Sequence, residues 1–187
     1  MFEAFRARAE AVSAEVHRLG GSAEALAFAT GLLAKAGVAD QAGARAAWAP
    51  GPLVAGIDRD ALAARLPGLT FDVTREAAAE SRVGVSEMDW GLADTGTVVQ
   101  DATAPALRLV STLPELHVAL LPSDRILPGL ADVLPRLDPR TAPYVAFVTG
   151  PSRTADIERV LTIGAHGPSR LVVVVHGGED ARAEVTP

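Results

Sequence analysis

Two near-continuous apolar runs, YVAFVTG at 144–150 and RLVVVVH at 170–176, constrain the fold more than any other feature of the chain. A strand with one solvated face alternates apolar and polar residues, whereas a strand apolar throughout needs cover on both faces. Between the runs lies TADIERVLTIG at 154–164, whose Ile157, Val160, Leu161 and Ile163 fall largely on one side of a helix. Strand, helix and strand in that order predict a βαβ unit in a parallel sheet with helices on both faces.

The N-terminal third reads as helical. Phe2, Phe5, Ala9, Val12, Val16 and Leu19 recur at steps of three and four, predicting a first helix that stops at Gly20-Gly21. Ser22 is the expected N-cap of a second helix, with Glu24 in its first turn, running to about Gly37. Together they make an N-terminal helical segment over residues 1–40, an arm that packs on the body or on a partner. The pattern is weak from Ala42 to Pro52, and Asp58 to Leu66 reads as a short helix closed by Pro67-Gly68. LTFDV (69–73), SRVGVS (81–86), TGTVVQD (95–101), ALRLVST (106–112) and LHVALLP (116–122) read as strands. The last three lie too close for helices between them and are expected to pair locally, at least partly antiparallel. PGLADVLPRL (128–137) reads as a short helix interrupted by Pro135. Without a repeat or a gross break in composition, residues 1–187 read as one α/β domain.

Composition narrows the function. Net charge is −6, so the basic footprint of a general nucleic-acid binder is missing. There are no cysteines, which excludes disulfides, zinc thiolates, a cysteine nucleophile and cysteine-ligated iron–sulfur clusters within this chain. The start, MFEAFRARAEAV, has no continuous apolar core and is not a secretory signal. No stretch approaches the roughly 20 apolar residues of a membrane span. The expectation is a cytoplasmic protein. Four scattered histidines show no metal-ligand spacing, so no metal site is expected.

Three stretches carry candidate chemistry. In Gly150-Pro151-Ser152-Arg153-Thr154, a strand end turns into a helix N-terminus. Free backbone N–H groups beside Arg153 make a candidate anion cradle from Gly150, Ser152, Arg153, Thr154 and Asp156. The same residues also read as a plain helix cap, with Asp156 and Glu158 complementing the helix dipole. No Walker pattern and no G-x-G-x-x-G accompanies them. Asp94-Thr95-Gly96-Thr97 places a carboxylate and two hydroxyls around a glycine before a strand, as a ligand contact or an Asx-type turn. In RLVSTLPELHV, Arg108, Ser111 and His117 surround a turn at Leu113-Pro114; they, Glu158, and His166 in the loop before the final strand are secondary candidates.

In order, GVSEMDWGLADTGTVV, RLVSTLPELHV and GPSRTADIERVLTIGAHGP resemble the signature blocks of the LUD domain family, in its short LutC-type form, over roughly residues 80–175. Asp94 stands where that family usually has Glu, and Ser86 where Thr is common. The resemblance implies a NagB/RpiA/CoA-transferase-like α/β fold, a mixed, mostly parallel sheet flanked by helices. It also implies a part in oxidising L-lactate to pyruvate with two iron–sulfur companion proteins, this chain itself carrying no cofactor. A stand-alone enzyme or binding module for a small anionic metabolite held in the strand-end cleft, and a regulatory or scaffolding protein, are the alternatives. The sequence assigns no catalytic residue and no oligomeric state.

Overall fold

The computed structural model describes residues 1–153 and 167–177. In chain order the elements are α1 (Phe2–Ala11), β1 (Glu15–Leu19), α2 (Ser22–Lys35), β2 (Arg45–Trp48), α3 (Pro52–Ala55), α4 (Arg59–Arg65), β3 (Leu69–Thr70) and α5 (Arg75–Ala79). There follow β4 (Ser81–Glu87), β5 (Trp90–Leu92), β6 (Thr97–Asp101), α6 (Pro105–Thr112), β7 (Leu116–Pro122), β8 (Ile126–Leu127), α7 (Leu130–Val133), β9 (Val145–Val148) and β10 (Arg170–His176).

Six strands form a sheet in the order β1-β10-β7-β4-β2-β3, and every pairing in it is parallel. Its apolar strands are buried on both faces, as the valine run requires. Val172 and Val174 of β10 join Trp48, Val83, Val85, Val118 and Leu120 against Ala25, Ala29 and Leu33 of α2. Val173 and Val175 point the other way, to Phe5 and Ala9 of α1 and to Met88, Ala93 and Val98 around the second sheet. Each such Val or Leu gains roughly 1.5–3 kcal/mol from burial, so both faces contribute. The second sheet runs β8-β5-β6-β9, with β5–β6 and β6–β9 antiparallel and β5–β8 parallel. The mostly parallel α/β architecture is therefore the one the sequence implied.

Several local readings are corrected. The first helix stops at Ala11, because Ser13 takes a positive φ of 71° and reverses the chain. Val16 and Leu19 then lie on β1, which pairs in register with β10. Gly21 is the N-cap of α2, and Ser22 is its first helical residue. The weak segment holds β2, an interior strand whose Ala46, Ala47 and Trp48 are all buried; small alanines hid it. ALRLVST is α6, not a strand: Pro105 sits at its first turn, and Val110 and Ser111 are its buried positions. Its alternating Leu107, Leu109 and Ser111 mimic a strand over one turn of helix. Accordingly β6 and β7 do not pair, and among the described residues only the β5–β6 hairpin is locally antiparallel.

The predicted βαβ unit is also overturned. β9 belongs to the second sheet, where it pairs with β6, while the neighbours of β10 are β1 and β7. Phe147 in the middle of β9 is 46% exposed, so this run is an edge strand and not a buried one. The helix expected at 154–164 lies outside the described residues. The Asp58 reading holds: its side chain caps α4 by accepting from Ala61 N–H at 2.9 Å.

Candidate functional site

The parallel strands β2, β4, β7 and β10 end on one side of the sheet, where ligands bind in open α/β sheets. A pocket of about 680 Å³ opens there, lined among others by Ser22, Glu87, Asp89, Gln100, Asp101, Arg125 and His176. Glu87 is the last residue of β4. Its carboxylate accepts from Leu53 N–H at 2.8 and 2.9 Å and from Val54 N–H at 3.2 Å, in the first turn of α3. Gly51 permits this approach, since a Cβ there would lie 2.3 Å from Glu87 Oε1. Asp89 Oδ2 accepts from Asp101 N–H at 2.6 Å. Burial raises the pKa of both Glu87 and Asp89 above the usual carboxylate range; backbone hydrogen bonds oppose the rise, and Arg125 also opposes it for Asp89. Burial lowers the pKa of His176, whose Nδ1 lies 3.5 Å from the Ser22 hydroxyl. The pocket thus combines acceptor groups on its wall with an exposed guanidinium at Arg125.

At the opposite ends of β7 and β10 lies a smaller cavity of about 250 Å³. It gathers four of the sequence candidates, Ser111, His117, Gly150 and Ser152, with Thr149, Gly167 and Pro168. His117 is fully buried; its Nε2 lies 2.9 Å from Ser86 Oγ, and among the described residues its Nδ1 has no partner. Burial lowers its pKa to about 4, so the ring is neutral at physiological pH. Gly150 has φ +71° and sits against Val12, while Ser152 N–H donates to Pro168 O at 2.8 Å.

The other candidates are placed as follows. Thr95 Oγ1, Thr97 Oγ1 and Thr149 Oγ1 form a chain with links of 2.8 Å, which joins the Asp94–Thr97 turn to the strand before Gly150. This junction is in the second sheet, at the end of α1, and not on a rim of the parallel sheet. Gly96, with φ +70°, meets the α1 backbone, where a Cβ would lie 2.2 Å from Ala9 N. Asp94 is exposed and lies beside Gly129. Arg153 is exposed and reaches Ser13 Oγ at 3.4 Å. Arg108 donates to the carbonyls of Ala102 and Thr103 and lies over the Tyr144 ring, while Ser111 Oγ donates to Arg108 O. Thr154, Asp156, Glu158 and His166 lie outside the described residues.

A family model for the LUD domain matches residues 2–176. The chain belongs to the LUD domain family. Lactate utilization protein C of Anoxybacillus flavithermus is 36% identical over 111 residues, 56% of this chain and 50% of that protein. Its namesake in an Exiguobacterium species is 35% identical over 112 residues, 56% of this chain and 49% of that one. The chain spans about half the length of the curated relatives it matches. A crystal structure of a DUF162 family protein from Deinococcus radiodurans shares the fold, with a TM-score of 0.62 at 18% identity, covering 94% of this chain and 96% of that one.

Within this LUD domain, sequence reasoning missed the strand-end pocket. Glu87, Asp89, Gln100, Asp101, Arg125 and His176 were not candidates. The available signal was a pair of carboxylates, Glu87 and Asp89, at the carboxyl end of a strand in a parallel sheet. Recognising it required β4 to be an interior strand, and that depends on β2 pairing beside it. Among the described residues no group of His, Asp or Glu could hold a metal ion, and no helix is long and apolar enough to cross a membrane.

Proposed function

We propose that this LUD domain chain is the non-cluster subunit of an L-lactate utilization system, in which lactate is oxidised to pyruvate and two iron–sulfur companion proteins carry the electrons. The observation that supports this most is the identity of 35–36% to proteins named Lactate utilization protein C. A chain without cysteine has no usual ligand for a cluster, so electrons leaving lactate pass through a partner. The strand-end pocket, large enough for a small metabolite, is the small-molecule site in this reading. The test is genetic. Deleting the gene in its host is expected to abolish growth on L-lactate and to leave growth on pyruvate intact; undiminished growth on L-lactate rejects the role.

A second reading, a free-standing binding module for a small anionic metabolite, is favoured by one observation. Ser111, Gly150 and Ser152 line one cavity with a neutral, buried histidine. In this reading Arg153 and the N–H groups after Ser152 hold the anion.

A further inference from the structure

Leu19, His176 and Pro122 stand opposite one another in the register of β1, β10 and β7. The chain leaves β1 through Gly20-Gly21 into α2 and leaves β7 through the turn Ser123–Arg125, so Ser22 and Arg125 come from the elements on either side of His176. All three line the strand-end pocket. The acidic acceptors of that pocket are already engaged. Glu87 draws on the N–H groups of Leu53 and Val54, Asp89 on that of Asp101, and Asp101 on the N–H and hydroxyl of Thr103. Its donors are not. The exposed Arg125 guanidinium has no hydrogen bond or ion pair among the described residues, and it feels the charge of Asp89 from beyond ion-pair reach. His176 keeps 8% of its surface exposed, and its Nδ1 lies 3.5 Å from the Ser22 hydroxyl. Its Nε2 has no partner among the described residues. Nor is it one of their buried unpaired atoms, which belong to Arg18, Trp48, Gln100 and His117, so it meets the open pocket. An imidazole whose Nδ1 accepts from a hydroxyl carries its proton on Nε2 and donates it there. Helix α2 adds its first-turn N–H groups: the N-cap Gly21 has no side chain to accept from them, and Glu24 is turned back to Gly20 N–H at 2.9 Å.

We propose that the strand-end pocket holds the anionic end of a small molecule, a carboxylate or phosphate, between the Arg125 guanidinium and His176 Nε2 at the N-terminus of α2. The oxygens of such a group are the acceptors that these donors lack. Glu87 ends β4, two strands away from β10 and so about 10 Å across the sheet, which keeps its carboxylate clear of the anion. Asp124, whose charge reaches the His176 ring, is exposed and outside the lining. The proposal rests on the reading of this pocket as the small-molecule site and not on lactate as its occupant. Growth on L-lactate that survives deletion of the gene would leave it standing. Equally, absence of anion binding at this place would leave the genetic result standing.

The sequence supplies a direct probe. The chain has four histidines, His17, His117, His166 and His176, so the imidazole signals of labelled protein are few, and the His176→Gln variant assigns those of His176. The chain is titrated at neutral pH and constant ionic strength with acetate, with inorganic phosphate, and with glycerol as an uncharged control. Constant ionic strength removes general screening. Saturable shifts of the His176 ring and of the Ser22 and Ala23 backbone amides are expected at roughly 0.1–10 mM, the range open to a ligand of a few atoms. Saturation by acetate identifies a carboxylate end, and saturation by phosphate alone identifies a phosphate end; either upholds the proposal. Glycerol is expected to leave these signals in place. Arg125 is exposed and without a partner among the described residues, so Arg125→Gln keeps the fold and should weaken the anion at least about tenfold. The proposal is overturned if neither anion gives a saturable shift at His176, or if glycerol shifts the ring as strongly. It is also overturned if Arg125→Gln binds as tightly as wild type, or if the saturable shifts fall at Gly150 and Ser152 instead.

Discussion

The Ser86 hydroxyl and Nε2 of His117 lie 2.9 Å apart, sealed between the adjacent parallel strands β4 and β7. Each residue is fully buried, so the imidazole is held neutral, with its pKa lowered to about 4 by desolvation. In the unfolded chain its pKa returns to the ordinary 6.5. Below that value the unfolded state binds the proton and the folded state does not, so stability falls as pH drops from 6.5 towards 4 and then levels off. The shift corresponds to a loss of about 3 kcal/mol across that window. Denaturation of wild type and His117→Gln at several pH values checks this. The stability difference between them should change by about that amount, and parallel curves would contradict it. The His117 ring signals should also not titrate between neutral pH and pH ~5.

A second prediction concerns the turn that locks the hairpin against α1. Gly96 has φ +70°, and a Cβ there would meet Ala9 N at 2.2 Å. Gly96→Ala is expected to cost about 2–4 kcal/mol, combining left-handed strain with overpacking. Gly31, inside α2, has open space for an added Cβ, which meets none of the described residues within 4 Å apart from its own helical turn. Gly31→Ala should therefore stabilise by about 0.5–1 kcal/mol through helix propensity. Urea midpoints of the two variants should move in opposite directions.

How much of this was legible in the sequence follows from the same elements. RLVVVVH announced a strand covered on both faces, and β10 is one. YVAFVTG looked alike but is an edge strand with Phe147 exposed, because an apolar run does not record which sheet it joins. β2 escaped notice because Ala46 and Ala47 carry little apolar signal, although both are buried. Candidates close in sequence stay close in space, as with Thr95 and Thr97, whose hydroxyls lie 2.8 Å apart. The pocket residues Glu87, Gln100, Arg125 and His176 are distant in sequence, and only strand order assembles them.

The anion-cradle reading makes its own prediction. Arg153 is exposed, and its contact to Ser13 Oγ is long at 3.4 Å. Arg153→Ala should change stability by no more than about 0.5 kcal/mol. If Arg153 holds an anion, the same variant should weaken binding of a small anion such as phosphate roughly tenfold or more. Unchanged affinity for that anion rejects the cradle.

The most direct test of the account is reconstitution. L-lactate-dependent reduction of an electron acceptor is measured with the purified chain alone, with the two proposed iron–sulfur companion proteins alone, and with all three together. The account predicts turnover only in the complete mixture. Robust lactate oxidation by this chain alone, or turnover by the companions that is unchanged when it is added, would contradict it.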